Sequence, residues 1–202
     1  MREDNVVMHP VYGVRHPRLE RALAVAEPAG SQETIWGNGI LPLRVTAFLG
    51  RADLPSELVT SVRCIVRVRD QIVVCETPNG TWHPWPGGRR ESGESYADTA
   101  YREVHEETGW QIGSGTTRLI GWLHLEHLRA PPQHHLFPHP DFLQVVLVAS
   151  STFRDGGEQG DWTDTEGYEL RSRLVSIDEA RILTSTADMP TSPFLDLIAT
   201  TT

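Results

Sequence analysis

Three carboxylates, Glu103, Glu106 and Glu107, crowd five positions shortly before Gly109. On a helix, side chains three and four residues apart share a face, so these acids would point the same way and repel one another. A counter-charge offsets that repulsion. A hard divalent cation such as Mg²⁺, with Mn²⁺ as a substitute, takes oxygen ligands of this kind. Arg102 stands four residues before Glu106, where it can help fix the acid face. Upstream, Pro86-Gly87-Gly88 is a backbone without bulky side chains, able to approach a phosphate or lend a carbonyl to a metal.

The element that must position these acids is legible. Ser95 is a good N-cap and Asp98 follows three residues later, a capping box with Asp in the usual Glu place. Ala97, Ala100, Tyr101 and Val104 recur at helical spacing and give an apolar stripe opposite the acids. Gly109 sits where a left-handed residue would close the last turn.

Gly88, Glu94, Arg102, Glu103, Val104, Glu106, Glu107, Gly109 and Trp110 stand at the fixed places of a longer pattern. It runs Gly, five residues, Glu, seven residues, then Arg-Glu-apolar-any-Glu-Glu-any-Gly-apolar. This stretch resembles the signature box of the Nudix hydrolases, with Trp110 bulkier than the usual last residue. Family-like flanks extend the likeness to about residues 61–184. The resemblance implies an α/β fold: a mixed β-sheet sandwiched between α-helices, with the box as a loop–helix–loop unit. It also implies hydrolysis of a pyrophosphate bond. Glu103, Glu106 and Glu107 would hold divalent ions, Gly87 would add its carbonyl, and Arg102 would orient Glu103. Glu94 would be structural or bind an outer ion. The general base is not placed uniformly in the family, and Glu103 is one candidate.

The 202 residues suffice for one domain and an extension, here drawn as 1–60 and 61–202. Residues 17–29 suggest a short helix and 40–49 a strand; the extension would be a structural cap, with a possible homodimer interface, or a substrate-selecting element. Strands are expected at 62–68, 72–76, 117–126, 142–149 and 170–176, and a helix at 178–183. Cys64 and Cys75 would face each other across a hairpin turning at Arg69-Asp70, as two reduced thiols. The formal charge of −9 argues against binding nucleic-acid polymers. No apolar run is long enough for a membrane span, and no leader opens the chain, so a cytoplasmic location is expected.

Outside the box, residues 155–169 carry six acids among fifteen residues and no basic one. Such a run is either a solvated surface or, as the resemblance implies, a loop bringing Glu166 or Glu169 over the site as ligand or base. His124, His127, His134, His135 and His139 lack compact zinc spacing. The stretch from 129 to 140 is a surface loop or one near the pocket, and His127 is a candidate substrate contact. Trp82 and Trp85 could stack on a nucleobase or pack under the sheet edge; at least one is expected to line the pocket. Gly87 and Gly88 are candidate phosphate contacts.

The reading is a metal-dependent hydrolase of a nucleoside diphosphate linked to another group. Landmarks for particular substrates are missing beyond the box: Leu125, Glu126, His127 and Leu128 include neither the proline nor the tyrosine that would mark two of the known specialisations. Two alternatives are a catalytically inactive ligand-sensing module and an isoprenoid diphosphate isomerase. The intact acid trio speaks against the first. The position of both cysteines in a hairpin speaks against the second.

Overall fold

The computed structural model describes residues 13–36, 39–130, 137–158, 162–164, 167 and 169–201. Helix α1 (Pro17–Val25) leads into strands β1 (Pro28–Trp36) and β2 (Leu41–Leu49). A hairpin follows, β3 (Val59–Val68) and β4 (Gln71–Glu76), then the short β5 (Trp82–His83). Helix α2 (Tyr96–Thr108) carries the acids and runs into β6 (Trp110–Ile112), β7 (Arg118–His127) and β8 (Asp141–Arg154). Strand β9 (Arg171–Val175) and helices α3 (Ile177–Leu183) and α4 (Ser192–Ala199) complete the described chain.

The main sheet runs β1-β2-β7-β8-β3-β4-β5, with β9 on the other edge of β4 and β6 joined to β8. Among the described strands only β3 and β8 pair in parallel; the other pairs are antiparallel. The sheet is therefore mixed, and both of its faces are covered, which explains why β8 is buried at its first nine positions. Phe194, Leu195 and Ile198 of α4 and Ala180 of α3 close one core over Ile65, Val74, Leu125 and Val146. Leu19 of α1 and Ala100 and Val104 of α2 close the other over Val62, Cys64, Val145 and Leu147. No helix among the described residues is long and apolar enough to cross a membrane.

The extension is part of this sheet. Strand β2 pairs with β7 from Leu43↔His127 to Leu49↔Gly121, and β1 pairs with β2. The boundary drawn at residue 60 falls inside β3. Helix α1 stops at Val25, earlier than read, because Pro28-Ala29-Gly30 opens a strand rather than a turn.

The hairpin turns at Arg69-Asp70 as expected, with Arg69 at φ 57°. Its ladder then stops after Arg67↔Ile72 and Val68↔Gln71. Beyond that point β4 leaves β3, and the Pro86–Arg90 loop takes β3's free edge. The Cys64 N–H donates to Pro86 O at 2.9 Å, Val62 N–H to Gly88 O at 3.0 Å, and Arg90 N–H to Thr60 O at 3.0 Å. Cys75 pairs instead with His83 and Ser172. The cysteines do not face each other across a ladder, and both are free and buried. The glycine loop is thereby hydrogen-bonded like a strand beside the acid helix.

Candidate active site

Helix α2 begins as its sequence dictates: Ser95 Oγ accepts from Asp98 N–H at 3.1 Å, and Asp98 Oδ2 accepts from Ser95 N–H at 3.1 Å. It ends on Gly109 at φ 73°, whose N–H donates to His105 O. The three acids do not share one exposed face. Glu103 and Glu107, one turn apart, are buried, while Glu106 is half-exposed. The apolar stripe and two of the acids are thus both turned inward, and the helix places carboxylates against the glycine loop.

Arg102 organises this cluster. Its guanidinium contacts Glu94 Oε1 at 2.8 Å, Glu103 Oε1 at 2.7 Å, Glu106 Oε2 at 3.2 Å and Arg89 O at 2.8 Å. Glu94 also accepts from Thr99 Oγ1 at 2.8 Å and Glu91 N–H at 2.9 Å. The Arg102 hydrogen bond, more than any other contact, draws the Glu94 carboxyl down to about 2. A carboxylate so fully engaged pins the loop to the helix.

Glu107 is in the opposite condition. Its Oε2 accepts from Gly87 N–H at 2.8 Å, and among the described residues no cation lies within ion-pair distance of it. Burial, augmented by the charge of Glu169 and opposed by Arg63, pushes its carboxyl up to about 9. Burial likewise raises Glu103, against the pull of Arg102. Gly87 and Gly88 make room for this packing. A Cβ on Gly88 would stand 2.5 Å from Glu103 Oε2, and one on Gly87 would stand 2.1 Å from Val62 O. No larger residue allows the two segments to meet so closely.

Two further residues complete the site, and sequence reasoning missed both. Arg63 on β3 donates through Nη1 to Gly87 O and through Nε to the buried Gln144 Oε1 at 3.2 Å. An arginine inside the apolar run of β3 was the available signal. His83 on β5 lies with its Nε2 2.8 Å from Glu169 Oε1, and both side chains are largely buried. Glu169 is held further by its own N–H, which donates to Asp164 Oδ2 at 2.8 Å. The site therefore gathers Glu169 beside Glu107. Glu166, the other acid singled out on that loop, lies outside the described residues, as do His134 and His135.

The aromatic candidates take different places. Trp85 is fully buried and meets Phe194 of α4 edge-on at 5.6 Å, so it is a core residue. Trp82 is half-buried, with the guanidinium groups of Arg173 and Arg171 at 4.8 and 5.5 Å from its ring centre. Both rings are already engaged by protein groups. His127 is buried, donates from Nε2 to Pro138 O at 3.1 Å, and tilts against His139 and Phe142. It belongs to an aromatic cluster with Phe142, Phe137 and Trp36 rather than to an open surface. His124 pairs with Asp141 at 2.7 Å.

The donor set suits a hard cation: carboxylate and carbonyl oxygens, two of the acids buried with raised pKa values. Glu169 Oε2 is buried and, among the described residues, has no hydrogen-bond partner. Those residues include no three His, Cys, Asp or Glu side chains already converged on one point. Arg102 and Arg63 hold the oxygens that such an ion would share.

A glycine loop in place of a strand, an acid helix behind it and a mixed sheet between helices define a known class. The sequence matches the NUDIX domain over residues 57–197, and the chain belongs to that family. Members of the family generally use divalent metals. The chain is 41% identical over 49 residues to an uncharacterized Nudix hydrolase, YvcI, of Bacillus subtilis (strain 168). That match covers 24% of this chain and 31% of the relative, so it spans about a third of the relative's length. A NUDIX hydrolase from Nitrosomonas europaea has a similar structure, with a TM-score of 0.51 at 22% identity, over 70% of this chain and 90% of that one. The Bacillus subtilis pyrophosphohydrolase BsRppH gives a TM-score of 0.46 at 18% identity, over 71% and 77% of the two chains.

Proposed function

We propose that the protein hydrolyses a pyrophosphate bond in a nucleoside diphosphate linked to another group, using Mg²⁺ held by Glu103, Glu106, Glu107 and the Gly87 carbonyl. The observation that carries this reading is Glu107, buried beside Glu103 and Glu169 with no ion-paired cation among the described residues. Ionising a carboxyl buried in this way is costly, and a bound divalent ion offsets that cost. When present, the ion neutralises phosphate charge and acidifies water.

The chain's own residues do the rest. Arg102 keeps Glu103 and Glu106 oriented, and Glu94 anchors Arg102. Gly87 and Gly88 let the loop backbone lie directly against Val62 and Glu103, which keeps the acids at the loop. Glu169 takes the proton of the attacking water, a role for which its unengaged Oε2 is suited. The half-engaged Glu106 faces solvent and is the acid best placed to gain a ligand without breaking the core.

The test is a phosphate-release screen over nucleoside triphosphates, dinucleoside polyphosphates and nucleoside diphosphate derivatives, with and without Mg²⁺. Turnover that requires the metal and disappears in Glu103→Gln supports the reading. Inertness toward the whole panel would instead favour a ligand-binding module.

A further inference from the structure

The pairing of His83 with Glu169 has a feature that a purely structural ion pair lacks. Its two partners are engaged through one atom each: His83 Nε2 meets Glu169 Oε1 at 2.8 Å. The remaining atoms, His83 Nδ1 and Glu169 Oε2, are buried and, among the described residues, lack hydrogen-bond partners. Leaving buried polar atoms unmet is costly, so a pair present only to neutralise a buried acid would be expected to satisfy them. The pair also has strong backbone support. Strand β5 is paired to β4 through Cys75↔His83, and β9 to the other edge through Cys75↔Ser172. One residue of β4 thus sets the separation of the two segments, and Asp164 fixes the Glu169 backbone.

We propose that His83 is a positioning residue: its imidazole grips one oxygen of Glu169 so that the other, Oε2, is held toward the reacting water. This rests on the reading of Glu169 as general base. In that step the water oxygen supplies the electron pair of the new P–O bond. Glu169 Oε2 takes a water proton, and the bridging P–O bond breaks with its electron pair on the leaving phosphate. His83 keeps its hydrogen bond throughout and exchanges no proton with substrate. It converts a flexible carboxylate into one with a fixed free oxygen.

The experiment compares Glu169→Gln, His83→Phe, His83→Gln and the double variant His83→Phe/Glu169→Gln. Folding is checked by melting temperature. Phe keeps the ring without a donor, and Gln restores an Nε2 donor at similar reach. Glu169→Gln should lower kcat about 100-fold or more. His83→Phe should lower kcat about tenfold with KM changed less than about twofold, and His83→Gln should recover most of the loss. The double variant should match Glu169→Gln alone, because His83 acts through that carboxylate. Independently of turnover, the His83 imidazole ¹⁵N resonance of the metal-free protein should move in Glu169→Gln. Wild-type kcat in Glu169→Gln would overturn the base assignment and this proposal with it. An impaired Glu169→Gln beside a His83→Phe of wild-type kcat would overturn the His83 proposal alone, as would multiplicative losses in the double variant.

Discussion

Two clusters of acids lie at opposite conditions of charge balance in this molecule. Asp141 is almost wholly buried, yet it is matched: His124 Nε2 lies 2.7 Å from its Oδ1, and Arg15 binds it through Nε at 3.1 Å. Arg15 and Arg44 then share Glu126, and Arg44 reaches Glu33. Burial alone would raise the Asp141 carboxyl, but the His124 and Arg15 hydrogen bonds reverse this and leave it lowered. Glu107 is similarly buried and, among the described residues, has no such partners, so burial raises its carboxyl to about 9. Burial of an acid is therefore not what distinguishes a candidate site. The missing counter-charge is.

The largest test of this contrast is Glu107→Gln, which should lower kcat about 1000-fold, a loss of roughly 4 kcal/mol of transition-state stabilisation. It should leave the melting temperature of the metal-free protein unchanged or higher. Asp141→Asn should do the reverse. Breaking a buried, matched pair costs about 3 kcal/mol, which urea denaturation would show, while kcat stays within about twofold. A destabilised Glu107→Gln with intact turnover would erase the distinction.

The pH dependence sharpens it, because the two acids have opposite signs. The stability Asp141 supplies is present above its unfolded value and is lost as pH falls through the lowered folded value. Glu107 contributes stability to the metal-free protein that is fully present below its unfolded value of about 4.3 and is lost as pH rises through the folded value. That upper limit is about 9. Urea midpoints across pH should therefore lose their acid limb in Asp141→Asn and become flatter on the alkaline side in Glu107→Gln. The smallest effect is reserved for Arg44→Ala at the exposed rim of the matched cluster. It should cost about 0.2–1 kcal/mol and fade in high salt, as measured by melting in low and high NaCl.

The parts of this architecture that were legible in the sequence are those whose determinants are local. Helix α2 carries its own cap, periodicity and glycine stop within fifteen residues, and all three are observed. The mixed sheet between helices also agrees with the resemblance. Strand β1 was missed because its half-exposed edge position is stabilised by β2 and by contacts such as Trp36 Nε1 to Asp188 at 3.0 Å, which no local pattern shows. The choice between core and pocket for Trp85 stayed open for a related reason: its partner Phe194 lies on a helix that had not been read. Arg63 meets Gly87, and His83 meets Glu169, only after the sheet is assembled. Whether Glu103 and Glu107 face solvent or core was equally hidden, since helical spacing fixes which residues share a face but not what that face meets.

The parting of β3 from β4 has a consequence for how tolerant the chain is of change. Because β3 itself dictates the register of Pro86–Arg90, the turn at Pro78-Asn79-Gly80 bears none of that duty. Thr77 N–H donates to Thr81 O across the turn, which closes it as a self-contained unit. Residues inserted there should therefore leave the glycines at their distance from Glu103.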